Sequence, residues 1–279
     1  MRGVTLVSAA GWVIFGFVIA CGQMRGQNAV NQTPAPTAAI PQVTSPAPVP
    51  PASTPEEETA KQIASMEAKL EDWPQLGRYR TDNAALAPAT EGALRVIFYG
   101  DSITDSWGRR ADTGEFFPGK PYVNRGISGQ TTPQMVVRFR QDVIDLRPAA
   151  VVILGGTNDI AGNTGPMTLQ MTEDNFRSMI DLAKANGIQV IVASILPVAD
   201  YPWKTGLVPA PKIRTLNDWL KGYCVNHSVA YLDYYSAMVG RDGGMKPGIS
   251  FDGVHPNAQG YAIMAPLAQA AIDKMLGSK

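Results

Sequence analysis

The chain has 279 residues, 45% of them hydrophobic and 17% charged, which suits one sizeable α/β domain with non-globular extras. Its 24 basic and 24 acidic residues cancel to a formal net charge of +0, which leaves no electrostatic pull toward nucleic acid. Cysteine occurs only as Cys21 and Cys224, which excludes a disulfide framework; one bridge between them would tie a tail to a helix end.

Residues 1–20 read as a secretory signal peptide: Arg2 gives a small positive start, and Val4 to Ala20 is mostly apolar with small residues. The run Val18-Ile19-Ala20-Cys21 resembles a bacterial lipobox, which implies cleavage before Cys21 and lipid attachment to its sulfur. An uncleaved anchor, or an ordinary signal with a chance cysteine, is the alternative. Gly22 rather than an aspartate follows Cys21, which in a cell with two membranes implies sorting to the outer one. Residues 21–55 then form a tether. Eight prolines fall between Pro34 and Pro55, mixed with Ala, Thr and Ser, and such a segment lacks the apolar surface for a core. The expected location is extracytoplasmic, anchored to a membrane through the N-terminal lipid, with a secreted soluble form as the alternative. Residues 56–279 remain for the folded domain.

That domain opens with a helix over residues 56–72, acidic at its start, with a thin apolar stripe of Ile63, Met66 and Leu70. Residues 73–88 look irregular; Tyr79, Arg80 and Asn83 have no evident task beyond covering surface. Residues 96–99 are a buried strand, broken by Gly100, with Asp101 and Ser102 at its end. In the loop-rich stretch 104–120, Gly114 to Lys120 matches G-x-x-x-x-G-K in spacing. Pro121 stands where a phosphate loop needs Ser or Thr, so the match is chance. A short strand at 122–123 leads to Gly126. A helix over 132–146 has Pro133 in its first turn, where a missing N–H costs little. Strand 150–154 ends at Gly155-Gly156-Thr157-Asn158. Thr172 caps a helix to Asn186, with Phe176, Met179, Ile180 and Ala183 on one face and Gly187 as its stop. Residues 188–196 form a fourth strand. The loop 199–211 carries Tyr201 and Trp203, which either shape a substrate pocket or simply pack. A helix over 212–226 and a last strand at 229–232 follow. The closing helix runs from near Pro256 to about Met275, with Tyr261, Met264, Leu267, Ala271 and Met275 facing inward. Alternating strands and helices predict an α/β domain, a three-layer α/β/α sandwich on a parallel sheet.

In such a sheet ligands bind beyond the carboxyl ends of the strands. Ser102 lies there, on a tight turn at a helix start, with its hydroxyl exposed and N–H groups nearby for a developing oxyanion. The same Gly-Asp-Ser also reads as a plain turn with a capping serine. A serine hydroxyl needs a base, and the chain has only His227 and His255. His227 has no carboxylate near it in sequence and follows a predicted helix, so it reads as a helix-end histidine. Asp252 precedes His255 by three residues, close enough to bond one ring nitrogen while the other faces a serine. Asp233 also ends a strand but is farther from His255. Gly126 either lets backbone approach a ligand closely or is a simple turn glycine. Asn158 either donates its amide to an oxyanion or bonds its own turn, and Asp159 reads as a turn or capping residue.

Four blocks stand in order: Gly100-Asp101-Ser102-Ile103, Asn124-Arg125-Gly126-Ile127-Ser128-Gly129, Gly155-Gly156-Thr157-Asn158-Asp159 and Asp252-Gly253-Val254-His255-Pro256. Together they resemble the GDSL esterases, also called SGNH hydrolases, with Ser-Ile in place of Ser-Leu. The likeness spans residues 100–256 and is nearest to the platelet-activating-factor acetylhydrolase-like and carbohydrate acetylesterase-like branch. It implies a flavodoxin-like sheet, Ser102 as nucleophile, His255 as base and Asp252 as its orienter. It also implies an oxyanion hole made by the Ser102 N–H, the Gly126 N–H and the Asn158 side chain. The expected function is a serine esterase cleaving short-chain, acetyl-type esters of a small molecule or polysaccharide through an acyl-enzyme. No cofactor is expected, since no His/Cys/Asp cluster has metal-ligand spacing. A lysophospholipase or thioesterase would use the same triad, and a tethered, non-catalytic glycan-binding lipoprotein is the rival outside enzymes.

Overall fold

Five short runs rich in β-branched and aromatic residues pair into one all-parallel sheet: β1 (Val96–Gly100), β2 (Tyr122–Gly126), β3 (Ala150–Leu154), β4 (Gln189–Ala193) and β5 (Ala230–Leu232). Their order is β2-β1-β3-β4-β5, the flavodoxin-like arrangement. The computed structural model describes residues 54–88 and 94–277. The expected signal peptide, the Cys21 lipid site and all but the end of the tether lie outside the described residues.

Nine α-helices occur among the described residues: α1 (Pro55–Glu71), α2 (Arg80–Ala85), α3 (Ser102–Ser106), α4 (Thr132–Asp142), α5 (Thr157–Ala161), α6 (Leu169–Ala185), α7 (Ala210–Asn226), α8 (Tyr234–Met238) and α9 (Ala258–Leu276). Period-two alternation along each strand feeds two cores. Ile97, Tyr99, Val151, Ile153, Val190 and Val192 meet α4, α6 and α7 on one face. Val96, Phe98, Val152, Leu154, Ile191 and Ala193 meet α3, α8 and α9 on the other. This is the expected three-layer sandwich.

Local chemistry sets the element ends, and several differ from expectation. The cap of α6 is Thr168, whose hydroxyl accepts the Met171 N–H at 3.2 Å; Thr172 is buried one turn inside. The inward face of α9 is Tyr261, Met264, Ala268 and Ile272, while Leu267, Ala271 and Met275 flank it half-buried. A short helix, α2, arises where irregular chain was expected, and a second, α8, follows β5, with Asp233 capping it through the Ser236 N–H at 2.9 Å. The stretch 104–120 is anchored by Phe116 and Phe117, which pack with Phe98, Trp107 and Tyr122. The apolar stripe of α1 is exposed. Cys224 is a buried, free thiol in the core, and burial pushes it up to about 12.

Register decides where function can sit. Gly100 pairs with both Gly126 and Leu154, so β1, β2 and β3 end at one level. From β1 the chain steps to β2 on one side and then to β3 on the other, and a crevice opens at that reversal.

Candidate active site

Ser102 follows the end of β1 as the first residue of α3. Asp101 caps that helix through the Ile103 N–H at 3.0 Å, and Asp105 N–H bonds the Asp101 carbonyl at 2.8 Å. The turn holds the Ser102 Oγ 2.9 Å from His255 Nε2. His255 lies in the loop before α9, and its Nδ1 is 2.8 Å from Asp252 Oδ2. Asp252 Oδ1 accepts the backbone N–H groups of Val254 (3.0 Å) and His255 (2.8 Å), so the carboxylate is fixed by its own turn. Burial alone would raise the Asp252 carboxyl, but the His255 backbone, the His255 ring and the Val254 N–H outweigh it and hold the carboxyl low. An ionised carboxylate at Nδ1 favours a proton there and leaves Nε2 to accept from the serine. The structure thus brings together Ser102, His255 and Asp252 as expected. His227 instead ends α7, exposed and stacked on Tyr223.

The expected Gly126 donor needs correction. Its N–H donates to Asn124 Oδ1 at 2.9 Å and does not face the crevice. Gly126 is required for packing: a Cβ there would sit 2.1 Å from the Asp105 nitrogen. Its block nevertheless reaches the crevice three residues later. Ser128 N–H and Oγ–H both donate to Asp105 Oδ2, at 3.1 and 2.7 Å, which ties the 127–129 turn to α3. Gly129, at φ 79°, lines the same cleft as Ser102, Asn158 and His255. The N–H groups of Ser102 and Gly129 donate to no group among the described residues.

Asn158 lies in α5, just past β3. Its Nδ2 donates to the Gln130 carbonyl at 2.9 Å, and its second hydrogen faces Asp101 Oδ2 at 3.5 Å, too long for a strong bond. Asn163 Nδ2 donates to Asn158 Oδ1 at 2.7 Å, which sets the amide's orientation. Asn163 Oδ1 in turn accepts the Trp203 Nε1–H at 3.2 Å. The two aromatics of the 199–211 loop therefore part company. Tyr201 is buried, donating to the Thr157 carbonyl at 2.9 Å, while Trp203 lines the cleft with its ring 6.1 Å from His255. Asp159 caps α4, accepting the Thr132 N–H, and burial raises its carboxyl.

Beneath the cleft lies a support that sequence reasoning missed. Arg138 is fully buried; it donates to the carbonyls of Gly100 (2.8 Å) and Arg125 (2.9 Å), pairs with Asp142 at 3.1 Å, and so clips β1 to β2. Gln130, also fully buried, accepts from Arg138 and donates to the Pro74 carbonyl at 2.8 Å. Tyr79 is buried too. Its hydroxyl donates to the Gly126 carbonyl and accepts from Arg109 at 2.6 Å. One signal for Arg138 was available: with Asp142 it forms a charged i,i+4 pair inside the inward stripe Met135, Arg138, Phe139, Asp142. Asp101 is buried beside this network, and burial pushes its carboxyl up to about 7. Among the described residues no three His, Cys, Asp or Glu side chains gather as metal ligands. A hollow of about 660 Å³ at Ile144, Arg147 and Asn186 lies toward the amino ends of the strands and is not lined by Ser102, Asn158 or His255.

The model of the GDSL-like lipase/acylhydrolase family matches residues 98–263. A GDSL-like lipase from Bacteroides thetaiotaomicron VPI-5482 is 45% identical with a TM-score of 0.69, covering 72% of this chain and 98% of that one. An acetylxylan esterase from Geobacillus stearothermophilus is 22% identical and shares the fold, with a TM-score of 0.52 over 64% of this chain and 93% of that one. The uncharacterized lipoprotein YqeF of Bacillus subtilis (strain 168) is 33% identical over 81 residues. That match takes in 28% of this chain and spans 33% of the relative's length.

Proposed function

The chain belongs to the family of GDSL-like lipases and acylhydrolases and is a carboxylic ester hydrolase, and we propose that it cleaves short-chain, acetyl-type esters through an acyl-enzyme on Ser102. The observation that carries this is the unbroken chain Ser102 Oγ, His255 Nε2, His255 Nδ1, Asp252 Oδ2, with separations of 2.9 and 2.8 Å. As Oγ attacks the ester carbonyl, its proton passes to Nε2, and Asp252 stabilises the resulting imidazolium. The N–H groups of Ser102 and Gly129 and the Asn158 amide stabilise the oxyanion. The imidazolium protonates the departing alkoxide. Water then attacks the acyl-serine with His255 again as base, releasing the acid and restoring Ser102.

Acyl length is argued from the walls. The cleft at Ser102 measures about 370 Å³ and is lined by Ser106, Arg110, Ser128, Asn158, Asn163 and Trp203 among others, with no aliphatic side chain to hold a long chain. A carbohydrate as the alcohol fits this polar lining, and the acetylxylan esterase of the same fold acts on such a substrate. We further propose that residues 1–20 are a signal peptide, that Cys21 carries lipid, that 21–55 tether the domain outside the cytoplasm, and that 56–279 are the hydrolase domain; the lipoprotein name of the Bacillus subtilis relative supports this. No helix among the described residues is long and apolar enough to cross a membrane. Hydrolysis of p-nitrophenyl esters from acetyl upward tests the reading. Rates should fall with chain length and vanish in Ser102→Ala. A preference for long chains would move the activity to a lipase or lysophospholipase, and full activity in Ser102→Ala would end the proposal.

A further inference from the structure

A second cleft, about 940 Å³, adjoins the catalytic one. Ser128, Gly129, Asn163 and Trp203 line both, so the two are continuous. Its far wall comes from residues 65–78, outside the 98–263 that the family model matches. This wall is built, not draped. Three glutamines on or beside α4 donate side-chain amides to carbonyls of the strap formed by residues 72–78: Gln134 to Trp73 (2.6 Å), Gln130 to Pro74 (2.8 Å) and Gln141 to Leu76 (2.7 Å). Asp72 folds the strap back on itself, accepting the N–H groups of Leu76 and Gly77 at 2.7 Å each.

We propose that this cleft seats the sugar chain of an O-acetylated oligo- or polysaccharide, the alcohol side of the ester cleaved at Ser102. The inference rests on the reading of Ser102 as an esterase nucleophile. Two indoles open onto the cleft, Trp73 at 38% and Trp203 at 45% exposure. A flat, half-exposed aromatic face is suited to the apolar C–H face of a pyranose, and it gives contact area with few rotatable bonds to freeze. Around the indoles stand the Gln75 amide and the hydroxyls of Ser65 and Thr164, which can answer sugar hydroxyls as donors and acceptors, while Gln134 and Asn163 brace the walls through their own bonds. Charge is sparse. Both Asp72 oxygens are engaged within the strap, and Arg78 stands 3.9 Å from Asp105, so among the described residues no cluster of free cations lines the cleft to await a phosphate headgroup. A neutral, hydroxylated polymer fits this lining. The contact also reaches the chemistry: Trp203 holds Asn163, and Asn163 orients Asn158.

The test uses O-acetylated hexaoses of xylan, mannan and chitin type beside p-nitrophenyl acetate, which carries no sugar. At least one hexaose should be hydrolysed with higher kcat/KM than its acetylated monosaccharide. Trp73→Ala should lower the ratio of hexaose to p-nitrophenyl acetate kcat/KM by about tenfold, as expected for losing one stacked aromatic face, and Trp73→Tyr should restore most of it. Melting curves establish that each variant is folded. Calorimetry of the best hexaose against Ser102→Ala reads binding without turnover, and Trp73→Ala in that background should weaken it by the same factor. Equal kcat/KM for hexaose and monosaccharide with every backbone, or a Trp73→Ala that leaves the ratio unchanged, overturns the proposal while p-nitrophenyl acetate is still cleaved. A Trp73-dependent activity on lysophosphatidylcholine in place of the hexaoses also overturns it. Absence of p-nitrophenyl acetate hydrolysis in the wild type points instead to failure of the esterase reading.

Discussion

Tyr79→Phe removes one oxygen atom from the support beneath the cleft and touches none of the reacting groups. The buried hydroxyl donates to the Gly126 carbonyl and accepts from Arg109, whose guanidinium also holds Asp105 and the Asn124 carbonyl. Without the hydroxyl, Gly126 loses a donor and Arg109 loses an acceptor. One unmet buried partner costs about 1–3 kcal/mol. For a domain of this size each kcal/mol moves Tm by about 2–4 °C, so melting should drop by about 2–12 °C. Gly126 leads directly into the 127–129 turn that carries the Gly129 N–H. Slack there reaches an oxyanion donor, and a full donor is worth about 10²–10³ in turnover. Partial displacement should therefore lower kcat for p-nitrophenyl acetate by about ten- to a hundredfold while KM barely moves, because the oxyanion exists only beyond the ground state. Steady-state kinetics with a parallel thermal melt measures both. A variant that melts lower yet keeps kcat within about twofold of wild type would refute the coupling of this tyrosine to the oxyanion turn, since a displaced donor should cost far more than that.

Asn158→Ala should reduce kcat by about 10²–10³ on the same ester; a near-normal rate would remove the amide from the oxyanion hole. Gly126→Ala should fold poorly, since its Cβ would meet the backbone nitrogen of Asp105 at 2.1 Å, and expression with a melting scan reads this directly; a stable variant would mean that α3 can yield. Asp101 offers a pH signature. Burial raises its folded carboxyl from 3.8 to about 7, so the folded state favours the neutral acid. Its favourable contribution is complete below about pH 4 and is lost as pH rises through 7, at a cost of about 4 kcal/mol by linkage. Asp101→Asn keeps a capping oxygen and cannot ionise, so its urea stability should exceed that of the wild type at pH 8 and converge with it near pH 4; a gap independent of pH would show that Asp101 does not titrate there.

The contact of Ser102, His255 and Asp252 was legible because its parts are local. Asp252 and His255 share one turn, and Ser102 sits where a charge-free strand stops. Spacing was legible too. Ser102, Gly129 and Asn158 are 27 and 29 residues apart (102 to 129, 129 to 158), each about one strand–helix unit, so a parallel sheet returns the chain to the same edge each time. That the Gly126 N–H turns away from the crevice was not legible. It turns on whether the Asn124 side chain bends back to take the Gly126 N–H, and no pattern of residue types records that bend. The closing helix was read one step out of phase beyond Met264, since Leu267, Ala271 and Met275 are as apolar as the residues that face the sheet.

Tyr79 and the strap stayed hidden for a different reason. Their partners are 47 to 65 residues away and are reached by side-chain amides and a hydroxyl bonding backbone carbonyls, contacts with no period to betray them. That difference bears on how the site is divided. The groups proposed to meet the reacting carbonyl come from strand ends and turns that the family pattern carries. Tyr79, which braces β2 beside α3, and the far wall of the larger cleft come from a segment before residue 98. A single segment with both tasks couples them: a change that reshapes the strap for another sugar chain also pulls on Gln130, and through its backbone on Asn158. Specificity variants in residues 73–78 should accordingly shift kcat together with the ratio of substrates, whereas variants at Ser65 or Ala68 on α1, which the glutamines do not tie, should shift the ratio alone.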